Sequence, residues 1–378
     1  MTLDHRYPAI ADLKRRARRR LPHFVWEFLA SGTGDGSATS NSRAAIEAIH
    51  LCPAVLRGHP EPQLETTFLG QQYDMPVGIA PVGMSGLIWA GAEPRLAAAA
   101  RRHNIPYGLS TVAAAAPETV GPHAGGNGWF QLYPPGDPDI LHDLLERARN
   151  SGFSTLILTV DVPAASRRER QQRSGLLHPP RLTPRIALQC ARCPAWSLAT
   201  LVHGRPRLVT LDPYADTSRS LPGTAHVGYL LRTAPDWEYL DRVREMWAGK
   251  LLVKGVLDAE AAVTIRDAGA DAVWVSNHGG RQFEAAPSPI SVLPAIRAAV
   301  GDDYPLVYDG GVAAGTDVLR AMACGADLVM LGRAWHYGIA ALGERGVDQV
   351  AHILREGLKA DMAQLGIARP GHARSRLI

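Results

Sequence analysis

Cysteine is scarce. Four cysteines in 378 residues do not make a disulfide framework, so a reducing compartment is expected. Cys190 and Cys193 form a C-x-x-C pair, but no second pair is present, and Cys52 and Cys324 lie far off in sequence. Neither a metal site nor a redox couple is expected from them. Long apolar runs are missing too: no stretch approaches the ~20 residues needed to cross a bilayer. Residues 1–6 carry no signal-like apolar segment, so the expected location is cytoplasmic. A strong excess of one charge is also absent, since 40 Lys and Arg against 36 Asp and Glu leave +4. Much of that excess sits in Lys14-Arg15-Arg16-Ala17-Arg18-Arg19-Arg20, which reads as the wet face of a helix. Without aromatic interleaving or zinc-finger spacing it gives no support to nucleic-acid binding.

What is present is a large apolar fraction, 46%, in a repeating pattern. Residues 9–30 read as helices that end in the glycine-rich turn Ala30-Ser31-Gly32-Thr33-Gly34-Asp35-Gly36. That turn lacks the G-K-[ST] ending of a phosphate loop. Residues 41–75 form a proline-bearing lead-in expected to cover one end of a barrel. From residue 76 short apolar runs alternate with helical stretches. The expected strands cover residues 77–81, 107–111, 129–133, 155–161, 251–255, 272–277, 306–311 and 327–333. Apolar runs bounded by turn signals are buried parallel strands, and eight of them alternating with helices close a (β/α)₈ barrel. Residues 162–235 interrupt the rhythm with Arg, Pro and Ser, and read as a long loop insertion after the fourth strand. The expected organisation is one barrel domain over 1–378, with a helical lead-in over 1–75.

In such a barrel the chemistry sits at the C-terminal strand ends. Here those ends carry Ala80-Pro81, Ser110-Thr111, Gln131 and Tyr133, Thr159 and Asp161, Lys254, Asn277-His278, Asp309-Gly310-Gly311, and Gly332-Arg333. His278 titrates near neutrality and Arg281 can grip a carboxylate bidentately, so together they suit a carboxylic acid substrate that gives up a proton. Gly310-Gly311 and Gly332-Arg333 stand where many barrels bind phosphate through backbone N–H groups. Lys254 reads equally as an imine-forming amine or a fixed positive charge.

The ordered motifs Phe130-Gln131-Leu132-Tyr133, Leu158-Thr159-Val160-Asp161 with Arg167-Arg168-Glu169, Leu252-Val253-Lys254-Gly255, Ser276-Asn277-His278-Gly279-Gly280-Arg281-Gln282, and Asp309-Gly310-Gly311 with Gly332-Arg333 resemble the FMN-dependent L-2-hydroxy acid oxidoreductases. That is the family of glycolate oxidase, lactate dehydrogenase and mandelate dehydrogenase, and the likeness runs from Leu21-Pro22 through the C-terminal helix. Within it, the stretch from Cys193-Pro194 to Lys254 is most similar to the bacterial respiratory lactate dehydrogenases.

The resemblance implies His278 as base with Asp161 behind it, and Arg281 and Arg168 on the substrate carboxylate with Tyr133 near the hydroxyl. It puts Lys254 by the flavin N1 and O2 edge. Ser110, Gln131 and Thr159 bond the ring, Pro81 and Val82 lie near N5 with Gly83, and Ser276 and Asp309 complete the cofactor shell toward the ribityl chain. Gly310, Gly311, Gly332 and Arg333 hold the phosphate. It also implies a homotetramer and an acceptor that is oxygen or quinone, with peripheral contact to the inner membrane face left open. Three departures stand out. Phe28 replaces a carboxylate-binding tyrosine, Ala313 replaces the arginine of a Gly-Gly-x-Arg phosphate motif, and Val112 and Ala165 replace bulkier residues beside the substrate. The competing expectations are an altered substrate with weakened FMN binding, or a Lys254 Schiff-base lyase on the same barrel.

Overall fold

The structure is a computed structural model describing residues 3–58, 60–176, 183–214 and 234–378. Eight parallel strands close a barrel in chain order: β1 (Val77–Ile79), β2 (Tyr107–Ser110), β3 (Gly128–Leu132), β4 (Thr155–Thr159), β5 (Lys250–Val256), β6 (Ala272–Val275), β7 (Leu306–Tyr308) and β8 (Leu328–Leu331), with β8 bonded back to β1. Every residue of β1 to β4 is buried. The strands therefore read as unbroken apolar runs, because helices cover one face and barrel contents the other. Alternate residues divide between the two. Leu156, Leu158 and Val253 join the shell beneath the helices, while Trp129, Ile157, Leu252, Trp274, Val307 and Met330 fill the barrel.

Seven of the eight expected strands end one to three residues earlier than read, among them those ending at Thr159, Val275, Tyr308 and Leu331. The polar and glycine residues beyond them belong to loops, where they are free to face a ligand.

The lead-in serves both ends of the barrel. A hairpin, Thr66–Phe68 with Gln71–Tyr73, inserts Phe68 and Tyr73 among the barrel side chains. The Phe68 ring lies 5.9 Å from that of Trp129, at the start of β3, so the N-terminal end is plugged with packed side chains. Helices Ile10–Arg20, His23–Ala30 and Ser37–Glu47 reach the other end. The first buries Ile10, Leu13 and Ala17 at helical spacing, which leaves Arg15, Arg18 and Arg19 exposed as expected. After the second, the glycine turn docks on the β6 loop through a Thr33 N–H to Gly280 carbonyl bond of 3.0 Å.

Residues 162–235 differ from the expected long loop. They include helices Glu169–Arg173, Pro184–Ala191 and Pro194–His203; residues 177–182 and 215–233 lie outside the described residues. The physical reason is local. Thr183-Pro184 and Cys193-Pro194 each place proline at the first helical position, where its missing N–H costs nothing and its φ is preset. The Thr183 hydroxyl caps the first of these two helices by accepting the Ile186 N–H at 3.3 Å. Each helix is short and buries little beyond Ile186 or Trp196, so its periodicity is faint. Contacts with the lead-in hold them: Trp196 meets Phe24 edge-on at 5.7 Å, and Gln189 Oε1 accepts the Phe24 N–H at 2.9 Å. Helix Trp237–Met246 then completes the crossover into β5.

Candidate active site

A cavity of about 1400 Å³ opens at the C-terminal end of the barrel. His278, Tyr133, Arg168, Arg281 and Lys254 all line it, so the residues read from separate strand ends do converge. His278 Nδ1 lies 3.0 Å from Asp161 Oδ1, and His278 Nε2 lies 3.2 Å from the Tyr133 hydroxyl. A carboxylate only accepts, so Nδ1 carries the proton and Nε2 presents its lone pair toward the cavity. Burial holds the imidazole below its usual 6.5 even though Asp161 pulls the other way, and the charges of Lys254 and Arg168 add to the depression. The ring is therefore neutral at pH 7, as a base must be. Burial alone would raise the Asp161 carboxyl, but His278 and Lys254 outweigh it and keep the group ionised. Burial, with Asp161, pushes Tyr133 to about 12, so its hydroxyl stays a donor.

Asp161 depends on a glycine across the strand. Gly255 has φ +105, and a Cβ there would lie 2.5 Å from the Asp161 side chain. The β5–β6 register also shifts between Lys254 and Val256. This bulge turns Gly255 aside and opens the seat that Asp161 occupies.

Beneath the cavity runs a second polar network. Lys254 Nζ donates to Ser276 Oγ at 3.0 Å, Ser276 Oγ donates to Asp309 Oδ1 at 2.8 Å, and Trp274 Nε1 donates to Asp309 Oδ2 at 3.0 Å. Asp309 Oδ2 also lies 3.7 Å from Lys254 Nζ. The lysine is held as a fixed cation at the cavity wall.

Arg168, Arg281 and Arg333 face the same space, and among the described residues none is paired with a carboxylate. Burial, then Arg333 and Arg168, drive the Arg281 guanidinium well below its usual range, and burial and Arg333 lower Arg168. Arginine keeps its proton at neutral pH, so these depressions report the cost of burying charge and, after it, mutual repulsion, both of which a bound anion offsets. Arg281 is steadied by the Leu29 carbonyl at 2.6 Å and lies over the Phe28 ring at 5.8 Å. Arg333 donates to the carbonyls of Leu29, Ser31 and Gly279. Arg168 sits at φ +46, a strained conformation for a non-glycine residue.

The donors present fit a flavin. Gln131 Nε2 and Thr159 Oγ1 are buried without a partner among the described residues, and both residues line the cavity. An unsatisfied buried polar atom costs about 1–3 kcal/mol, so these atoms are set for a ligand with a hydrogen-bonding edge. Pro81, Val82 and Gly83 add an apolar stretch to the same lining. Gly310, Gly311 and Gly332 line one end of the space beside the N-terminus of helix Arg333–Leu342, where backbone N–H groups suit a phosphate.

Three residues expected at the site lie off the cavity wall. Ser110 does not line the cavity; its hydroxyl donates to Gln131 Oε1 at 2.8 Å and so turns the Gln131 amide nitrogen outward. Ser276 is likewise buried behind Lys254. Ala165 is exposed and off the cavity wall, whereas Arg168, three residues on and at positive φ, lines it. The cavity also has a wall absent from the sequence reading: Phe24, Leu176, Ile186, Trp196, Leu201 and Leu208. The two N1 prolines were the available signal for the helices that carry part of it.

Fold and site together define an FMN-binding (β/α)₈ oxidoreductase. The chain belongs to the FMN-dependent dehydrogenase family, whose pattern matches residues 17–378. It is 35% identical to an L-lactate dehydrogenase of Pectobacterium atrosepticum, over 95% of this chain and 93% of that one. It is 37% identical to an L-lactate dehydrogenase of Caulobacter vibrioides, over 94% and 93%. Among solved structures it is similar to the monotopic membrane protein (S)-mandelate dehydrogenase, with TM-score 0.93, 33% identity and 98% of each chain covered. A mandelate oxidase matches with TM-score 0.82 and 32% identity, again over 98% of each chain.

Proposed function

We propose that this protein oxidises an L-2-hydroxy acid with an apolar side chain larger than a methyl group to the 2-oxo acid, with His278 as the base. The observation that carries the reading is the Asp161–His278–Tyr133 chain, at 3.0 and 3.2 Å, facing a cavity shared with the Arg168 and Arg281 guanidiniums, which have no carboxylate partner among the described residues. Arg281 and Arg168 hold the substrate carboxylate and fix C2 near the imidazole. His278 Nε2 takes a proton from the substrate, and Asp161 stabilises the imidazolium that results. Tyr133 hydrogen-bonds the reacting oxygen. FMN, when bound, would supply the acceptor for the two electrons and the second hydrogen that the substrate gives up. Gln131, Thr159 and Lys254 would hold its ring, and Gly310, Gly311 and Gly332 would hold its phosphate. Lys254, paired with Asp309, serves as a fixed charge rather than an imine-forming amine.

The size preference follows from the apolar wall at Phe28, Val112, Ile186 and Trp196. Phe28 offers no hydroxyl to the carboxylate, so apolar contact with the side chain does more of the binding. The purified yellow protein, mixed anaerobically with a panel of 2-hydroxy acids, should bleach, fastest with aryl or branched acids. No bleaching by any acid would sink the activity; bleaching fastest with glycolate would sink the size preference. His278→Ala should keep the flavin and lose the bleaching.

We also propose that the protein docks on a membrane and passes electrons to quinone there. Among the described residues no helix is long and apolar enough to span a bilayer. Helices Pro184–Ala191 and Pro194–His203 nevertheless expose Leu188, Leu198, Leu201 and Val202 by 53%, 63%, 80% and 73%. The Arg20 guanidinium lies 4.9 Å from the Trp89 ring, and Trp196 bonds the Leu87 carbonyl next to it. These exposed apolar side chains, with the exposed Arg15, Arg18 and Arg19 of helix Ile10–Arg20, suit an interfacial patch on anionic lipid.

A further inference from the structure

We propose that Arg43, on helix Ser37–Glu47, supplies the cation at the phosphate end of the FMN site that Ala313 cannot. The inference rests on the phosphate placement proposed above. Gly311 sits at φ +74, where a Cβ would come 2.6 Å from the Ser42 carbonyl and 3.2 Å from Arg43 Cα. Only a glycine lets the helix approach this closely, and the approach delivers the Arg43 side chain to the β7 loop.

Its anchoring is specific. Arg43 Nη1 donates to the Gly311 carbonyl at 2.8 Å and to Asp317 Oδ2. The backbone N–H of Ala313 donates to that same Asp317 oxygen at 2.8 Å. One carboxylate oxygen therefore holds the Arg43 guanidinium against residue 313, next to the place an arginine there would start from. Arg43, Gly310, Gly311, Ala313 and Gly332 line the same cavity. Arg43 Nε binds Glu47 at 2.7 Å, and its remaining terminal nitrogen, Nη2, has no hydrogen-bond partner among the described residues.

Charge points the same way. Asp317 is buried and neutralised by both Arg43 and Arg320, the latter at 3.0 Å. Two guanidiniums on one buried carboxylate leave a positive charge beside the glycine loops. Glu47 is more than half exposed, where solvent screens it. Arg333 is engaged by three carbonyls across the site. Arg43 Nη2 and Arg333 Nη1, each without a hydrogen-bond partner among the described residues, leave Arg43 as a second cation beside Arg333 for an anion at the β7 loop.

The test compares FMN with riboflavin, which lacks the phosphate. Dissociation constants are measured by flavin fluorescence on the holoprotein after flavin removal and back-titration, for wild type, Arg43→Gln, Arg43→Lys and the double variant Arg43→Gln/Ala313→Arg. Arg43→Gln should weaken FMN on the order of ten- to a hundred-fold and leave riboflavin unchanged. Arg43→Lys should lose less, and Ala313→Arg should recover much of the loss. Equal weakening of both flavins, or no change for FMN, would overturn the assignment. Wild type that binds riboflavin as tightly as FMN would overturn the phosphate placement as well, whether or not hydroxy acids reduce the flavin.

Discussion

Replacing Asp161 with asparagine removes a charge and almost no volume, which matters where Gly255 leaves so little space. In the wild type the carboxylate lies 3.0 Å from His278 Nδ1. Opposite charges about 4 Å apart attract by about 4 kcal/mol at an effective dielectric of about 20. The amide oxygen still accepts the Nδ1–H bond, so part of that remains. Losing about 3–4 kcal/mol of imidazolium stabilisation lowers kcat on the order of 10²–10³-fold. KM should change little, because Arg168 and Arg281 are untouched, and flavin content should hold, because Asp161 does not line the cavity. The pH profile carries the distinctive sign. Without Asp161, burial, Lys254 and Arg168 act on His278 unopposed, so its pKa falls further and the acid limb of kcat/KM moves to lower pH. Anaerobic stopped-flow reduction of the flavin across pH measures both effects. A loss under about ten-fold, or an acid limb that moves upward, would refute the pairing.

Three further outcomes come from the same geometry. His336 is buried between Ser85 Oγ at 2.7 Å and the Gly332 carbonyl at 2.8 Å, and burial lowers its pKa from 6.5 to about 4. The unfolded chain takes up this proton first, so the stability is complete above pH 6.5 and about 3 kcal/mol is lost by pH 4. Calorimetry should show His336→Gln less stable at pH 7 but with a flatter slope over that window. Gly255→Ala must accept a positive φ, at about 1–3 kcal/mol, and displace Asp161; a lower Tm and a lower kcat with flavin retained are expected, and an unchanged kcat would disprove the seat. Leu198→Asp with Val202→Asp, both off the cavity wall, should abolish sedimentation with anionic vesicles and spare turnover with a soluble acceptor; undiminished sedimentation would move the membrane patch elsewhere.

The barrel was legible because parallel strands wrapped in helices must be apolar throughout. Runs such as Thr155-Leu156-Ile157-Leu158 and Ala272-Val273-Trp274-Val275 admit little else. The site was legible for a related reason: polar residues at strand ends stand out against apolar strand bodies, as Lys254, Asp161 and His278 do. The helices Pro184–Ala191 and Pro194–His203 were obscure because each buries one or two side chains, too few to set a period. Ser110 and Ala165 were misplaced for want of rotamer and chain direction. Ser110 faces Gln131 and Ala165 is exposed, neither of which spacing reveals.

By itself the sequence determined the barrel, the end that carries the chemistry and the residue types gathered there, since burial pattern and side-chain chemistry are properties of local text. Tertiary structure alone decided which of those groups touch. Contacts between Asp161 and His278, between Arg43 and the β7 loop, and between Trp196 and Phe24 join segments more than 100 residues apart in sequence. Their distances depend on how strands, bulge and lead-in helices pack, and packing is a property of the closed molecule.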